Sequence, residues 1–145
     1  MSSTQVVHFE KPFFVILTNR CNLACEHCYN ELDELKANKI KTTDPLSKEN
    51  LFSLFSELKT QGFEKVYLSG GEALLRSDIF EIVSFSTSIG LKTALFTNGH
   101  LFTEKIIQQL RVSGLTEVRI SLNELVWIKS RSQYEKVVLQ QLKWV

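Results

Sequence analysis

Outside residues 21–30 this chain of 145 residues has no cysteine, and within them it has only three. An odd number of thiols cannot pair off, which argues against a disulfide framework and for metal or catalytic duty in a reducing compartment. Charge of one sign is lacking too. Seventeen Lys and Arg against 16 Asp and Glu leave a net charge of +1, with acids and bases interleaved. Neither a nucleic-acid footprint nor a polybasic membrane surface fits that balance. No apolar run approaches the roughly 20 residues a membrane helix needs. The opening MSSTQVVHFEK has no apolar stretch behind basic residues, so it does not read as a secretion signal, and a cytoplasmic protein is expected. The length suits one domain, 1–145, with a substantial core.

What is present is a repeat. GFEKVYLS (62–69), GLKTALFT (90–97) and GLTEVRIS (114–121) each run from glycine through an apolar residue and a polar pair into strand-like residues and a hydroxyl. A helical pattern precedes each glycine. In the first, Leu51, Leu54, Phe55 and Leu58 fall at helical steps. Ser47 is its expected N-cap, with Leu46 and Leu51 placed as a hydrophobic staple. The second helix is expected to start at Asp78, with Glu81 completing a capping box, and the third near Thr103. Gly62, Gly90 and Gly114 suit the left-handed residue that ends a helix. FFVILT (13–18) supplies a first strand and SQYEKVVLQQLKWV (132–145) a fourth helix. The fold class is therefore α/β, with four β/α units around a parallel sheet. The long polar link 29–46 reads as a solvated connector, with a lid as its alternative.

Aligning the repeats puts Val66, Leu68, Ala94, Phe96, Val118 and Ile120 on one, helix-covered face. Tyr67, Ser69, Leu95, Thr97, Arg119 and Ser121 are expected on the other. Arg119 there needs an anionic partner: a carboxylate such as Glu117, or alternatively an acid of a substrate or cofactor. Each strand is expected to end on a hydroxyl, Thr18, Ser69, Thr97 or Ser121, before NRCN, GGE, NGH or LNE. Ligands of parallel α/β folds bind at that rim.

Cys21, Cys25 and Cys28 sit at the first rim segment. Thiolates at that spacing suit zinc or an iron–sulfur cluster. A structural zinc would need a fourth ligand, and His27 or His100 is available. A 4Fe–4S cluster on three cysteines instead leaves one iron open to another ligand. His8 reads as a surface residue, and Trp127 and Trp144 as packing.

CNLACEHCY after a first strand, SGGEALL after a second, TNGHL and ISLN together resemble the radical S-adenosylmethionine (radical SAM) enzymes, from Phe13 to about Trp144. The resemblance implies a partial (β/α) TIM-like barrel, the N-terminal portion of the radical SAM core, without an auxiliary-cluster domain. It implies a 4Fe–4S cluster on Cys21, Cys25 and Cys28 and S-adenosyl-L-methionine on the open iron. Reductive cleavage would then give a 5′-deoxyadenosyl radical that takes hydrogen from a substrate the residues do not identify, a peptide or cofactor precursor being the kinds the family suggests. Such an oxidoreductase draws its electron from a donor such as flavodoxin or ferredoxin. The implied cofactor contacts are Gly70, Gly71 and Glu72 at the methionine amine, Ser121 and Asn123 at ribose or carboxylate, and Tyr29 at adenine.

Some positions depart from the family pattern. Ala73 replaces the proline of GGEP, Asn123 replaces an aspartate, and Arg131 is the nearest candidate for a carboxylate-binding arginine. Family cores have six β/α units against four here. Three outcomes are therefore expected of so short a chain: part of a longer enzyme, a wall completed by a partner chain or self-association, or a cluster-binding module without turnover. A small zinc protein is the remaining alternative.

Overall fold

The computed structural model describes residues 11–23, 25, 28 and 44–121. Most of the polar link, the expected helix 132–145, and His8, His27, Tyr29, Asn123, Trp127, Arg131 and Trp144 lie outside the described residues. Four strands, β1 (Pro12–Thr18), β2 (Lys65–Gly70), β3 (Lys92–Thr97) and β4 (Glu117–Ile120), form one parallel sheet in the order β1-β2-β3-β4. Helices α1 (Lys48–Thr60), α2 (Ile79–Ser88) and α3 (Glu104–Val112) connect successive strands, with a single 3₁₀ turn at Ala73–Leu75. This is the expected run of β/α units, part of a TIM-like barrel wall. Among the described residues no helix is long and apolar enough to cross a membrane.

Local chemistry sets most helix boundaries. The Ser47 side chain accepts from the Asn50 amide at 3.2 Å, and that of Thr103 from the Ile106 amide at 3.2 Å, so both caps form as read. Gly62, Gly90 and Gly114 have φ of 83°, 77° and 86°, the left-handed conformation that turns each helix toward the next strand. The capping box at α2 does not form. Asp78 occupies the N-cap position without a side-chain cap bond. Both its oxygens are taken by Arg76, at 2.8 and 2.7 Å, while Glu81 pairs with Lys48 at 2.5 Å. A bidentate guanidinium–carboxylate pair outcompetes a single bond to a neutral amide.

The register corrects the reading of the faces. Val66 pairs with Thr93 and Leu68 with Leu95, while Ala94 pairs with Glu117 and Phe96 with Arg119. Each strand is staggered by one residue relative to the repeat alignment, and a one-residue shift exchanges faces. Val66, Leu68, Val118 and Ile120 keep the expected face, but β3 is inverted. Leu95 and Thr97 join the helix-covered side, whereas Ala94 and Phe96 join Tyr67 and Arg119. The Tyr67 and Phe96 rings meet at 5.7 Å, and Phe14 lies 4.5 Å from Tyr67. Arg119 stacks over Tyr67 at 4.8 Å and pairs with Glu117, so the ordinary salt bridge is the one formed. Phe14, 58% exposed, marks this side as the face away from the helices.

The core lies between sheet and helices. Val15, Leu17, Val66, Leu68 and Leu95 pack there with Leu51 and Phe55 of α1 and Ile79, Ile82 and Val83 of α2. Thr93 sits among them, fully buried, and its hydroxyl has no hydrogen-bond partner among the described residues. A buried unsatisfied hydroxyl costs about 1–3 kcal/mol. Thr93→Val keeps the shape and the β-branch, so a gain of about 1 kcal/mol is expected, read as a higher urea midpoint at unchanged slope.

Candidate functional site

The carboxyl ends of the strands bring Thr18–Cys21, Gly70–Glu72, Thr97–His100 and Ser121 to one rim. β1 and β2 stay paired beyond the strands themselves. The Gly71 amide donates to the Thr18 carbonyl at 2.8 Å and the Glu72 amide to the Arg20 carbonyl at 2.8 Å. The ladder thus runs to the residue before Cys21. A Cβ on Gly70 would stand 2.4 Å from the Thr18 oxygen, and one on Gly71 would stand 2.3 Å from the Arg20 oxygen. Both glycines therefore sit where β2 closely approaches the backbone that leads into Cys21.

The Glu72 side chain is turned inward and is 0% exposed. One oxygen accepts from the Leu74 amide at 3.1 Å and the Thr97 hydroxyl at 2.8 Å. The other accepts from the Asn98 amide at 2.7 Å. Three donors offset the desolvation of the buried carboxylate and fasten the end of β2 to that of β3.

Asn98, 9% exposed, extends this fastening to the cysteines. Its amide nitrogen lies 2.8 Å from the Asn22 carboxamide oxygen and 4.0 Å from the Cys21 sulfur, while its own oxygen accepts from the His100 amide at 3.0 Å. The Leu23 amide approaches the same sulfur at 3.4 Å. Cys21 is exposed, Cys25 and Cys28 are half-buried, and none of the three is in a disulfide. Cys25 packs against the hydrophobic core. Ser121 is exposed, and its amide donates to the Thr97 carbonyl at 2.9 Å, which puts it beside Asn98.

Among the described residues, which include the three cysteines and His100, no three His, Cys, Asp or Glu side chains stand together as a metal-binding group. The donor set nonetheless fits a 4Fe–4S cluster in kind and number. Three soft thiol donors fall within eight residues of sequence, and polar N–H groups face the first of them at the rim.

An ionic network, absent from the reading of the sequence, lies behind the rim. Arg76 donates to the Leu17 carbonyl at 2.8 Å, to the Leu46 carbonyl at 2.9 Å and to both oxygens of Asp78. Asp44 stands 3.8 Å from Arg76 and accepts from Arg20 at 3.0 Å through each of its oxygens. Residues 20 and 44, at the two ends of the segment that carries the cysteines, are thereby tied together. Arg20 and Asp44 were visible as single charges in the sequence, but no local pattern marked them as partners.

Comparison with known proteins gives a consistent result. The sequence model of the Radical SAM superfamily matches residues 15–129. PqqA peptide cyclase of Bradyrhizobium diazoefficiens is 36% identical over 115 residues, which cover 78% of this chain and 29% of that protein. Probable GTP 3′,8-cyclase of Methanococcus maripaludis is 31% identical over 127 residues, covering 88% of this chain and 40% of that one. This chain thus spans well under half the length of either relative. Among solved structures, BtrN in complex with AdoMet and 2-DOIA superposes with a TM-score of 0.65 at 19% identity, over 92% of this chain and 54% of that chain. SuiB of Streptococcus suis bound to S-adenosylmethionine gives 0.62 at 20% identity, over 88% of this chain and 26% of that chain. At such identities these likenesses speak for the fold.

Proposed function

The chain belongs to the radical SAM superfamily, and from that premise we propose that it holds a 4Fe–4S cluster on Cys21, Cys25 and Cys28 and binds S-adenosylmethionine on the same rim. The observation that carries this reading is the attachment of Cys21. Backbone bonds from Gly71 and Glu72 reach to within one residue of it, and the Asn98 amide faces its sulfur. When bound, the cluster and S-adenosylmethionine supply the 5′-deoxyadenosyl radical that abstracts hydrogen from substrate.

This chain's own residues bind and orient. Gly70, Gly71 and Glu72 are the proposed contacts of the methionine amine, with the Glu72 carboxylate also engaged by Thr97 and Asn98. Tyr29, Ser121 and Asn123 are the proposed contacts of the nucleoside and carboxylate. A flavodoxin- or ferredoxin-type donor supplies the electron in a cytoplasmic setting. The matched relatives are a peptide cyclase and a nucleotide cyclase by name, in keeping with the peptide-modifying or cofactor-making branches that the family resemblance suggests. A second reading is favoured by length. The chain covers 29% and 40% of those relatives, and the second reading is a cluster-binding module without turnover.

The test is anaerobic reconstitution with iron and sulfide. Uptake of about four irons per chain is expected, lost on Cys21→Ala, Cys25→Ala or Cys28→Ala. With reductant and S-adenosylmethionine, 5′-deoxyadenosine is then measured. Its formation supports the enzyme; a loaded cluster without it supports the second reading; wild-type protein that takes up no cluster overturns both.

A further inference from the structure

We infer that Asn98 is a positioning residue for Cys21, holding the first thiolate ligand and donating toward its sulfur; this rests on the cluster reading above. The orientation of its carboxamide is set by partners on both sides. The oxygen accepts from the His100 amide at 3.0 Å, so the nitrogen is directed at the cysteine loop, 2.8 Å from the Asn22 oxygen and 4.0 Å from the Cys21 sulfur. Rotating the group by half a turn would set oxygen against oxygen at Asn22 and nitrogen against a donor at His100.

The backbone of Asn98 is fixed just as firmly. Its amide donates to the buried Glu72 carboxylate at 2.7 Å, and the preceding Thr97 hydroxyl donates to the same carboxylate at 2.8 Å. Glu72 is itself paired through its amide with the Arg20 carbonyl. A closed circuit therefore runs from Cys21 through Arg20, Glu72 and Asn98 back to Cys21. Within it Asn98 is the member whose side chain touches the ligand loop.

The expected consequence is electronic as well as geometric. A hydrogen bond to a ligand sulfur stabilises the more negative, reduced state of a cluster and raises its potential. Without the donor, reduction becomes harder.

The experiment uses the full chain, reconstituted anaerobically, as wild type, Asn98→Ala and Asn98→Asp. Iron and sulfide content, far-UV circular dichroism and the midpoint potential by mediated titration with EPR are read for each. Asn98→Asp is nearly isosteric and keeps the acceptor for His100, but places an acceptor where the donor stood. Both variants are expected to show a more negative midpoint than wild type, with the larger shift in Asn98→Asp. Cluster loss in both variants, with circular dichroism and thermal midpoint unchanged, equally supports the inference. Loaded variants with the wild-type potential overturn it, as does cluster loss that comes only with unfolding. A wild-type protein that takes up no cluster overturns the cluster reading, and this inference falls with it.

Discussion

Replacing Arg76 by alanine is expected to lower stability by about 3–5 kcal/mol, the range for removing one partner of a buried charge pair. Arg76 is 3% exposed, and its fork serves three segments at once: the Leu17 carbonyl in β1, the Leu46 carbonyl before α1, and Asp78 before α2. Alanine strands the Leu17 carbonyl beneath the surface and leaves the Leu46 carbonyl and the partly exposed Asp78 carboxylate without their donor. Against a typical total of about 5–15 kcal/mol, such a loss leaves a marginal protein, measured as a fall in the urea midpoint. Arg76→Lys does not restore it, since one ammonium cannot satisfy a fork geometry. Arg20→Ala is the contrast. The Arg20–Asp44 pair is partly exposed, and such pairs contribute about 1 kcal/mol or less.

The same site sets a pH dependence. The Arg76 hydrogen bonds hold the Asp78 carboxyl below its ordinary range, against the opposing effect of burial. A carboxyl whose folded pKa is depressed contributes stability that is fully present above its unfolded value, about 4, and lost as pH falls through the folded value. Wild-type stability therefore declines below about pH 4, and Arg76→Ala shows a shallower decline over that window. A parallel decline in both proteins counts against the assignment. Because Asp44 faces both Arg76 and Arg20, the variant is also expected to loosen the base of the cysteine segment and lower iron uptake.

Elements governed by neighbours in sequence were legible; those governed by convergence were not. Ser47 and Thr103 cap their helices as read because capping is a bond over three residues. Asp78 followed the same local pattern and failed, because Arg76 reached it first and is itself held by acceptors about 30 and 59 residues away. Strand positions followed from the repeat, but its alignment carried no information on stagger. β3, with Thr93, Ala94, Leu95, Phe96 and Thr97, has no polar face to reveal its parity. The aromatic cluster of Phe14, Tyr67 and Phe96 settles the matter only in three dimensions. At the rim, the three cysteines and Gly-Gly-Glu were evident as motifs. The inward turn of Glu72 was not, since its partners Thr97 and Asn98 lie on another strand's end, 25 and 26 residues away.

Gly71→Ala is expected to separate the two motifs physically, costing about 3 kcal/mol and most of the cluster uptake. The added Cβ would lie 2.3 Å from the Arg20 carbonyl oxygen, 2.7 Å from its carbon and 3.0 Å from the Cys21 Cβ. Overpacking ordinarily costs about 1–3 kcal/mol, and the upper end applies because the obstruction is backbone, which has no alternative rotamer. Relief requires β1 to move away from the end of β2. The bonds from Gly71 to Thr18 and from Glu72 to Arg20, both 2.8 Å, resist that movement and would lengthen together. Cys21 would then shift relative to Asn98 while the sheet below stays paired. Gly62→Ala provides the control, since nothing lies within 4 Å of its added Cβ and its φ of 83° is the only obstacle. That substitution costs about 1–2 kcal/mol of backbone strain and leaves iron content unchanged. Urea unfolding with iron and sulfide analysis of both variants separates general destabilisation from displacement of the first ligand. Equal iron content in the two would mean that the glycine pair does not set the place of Cys21.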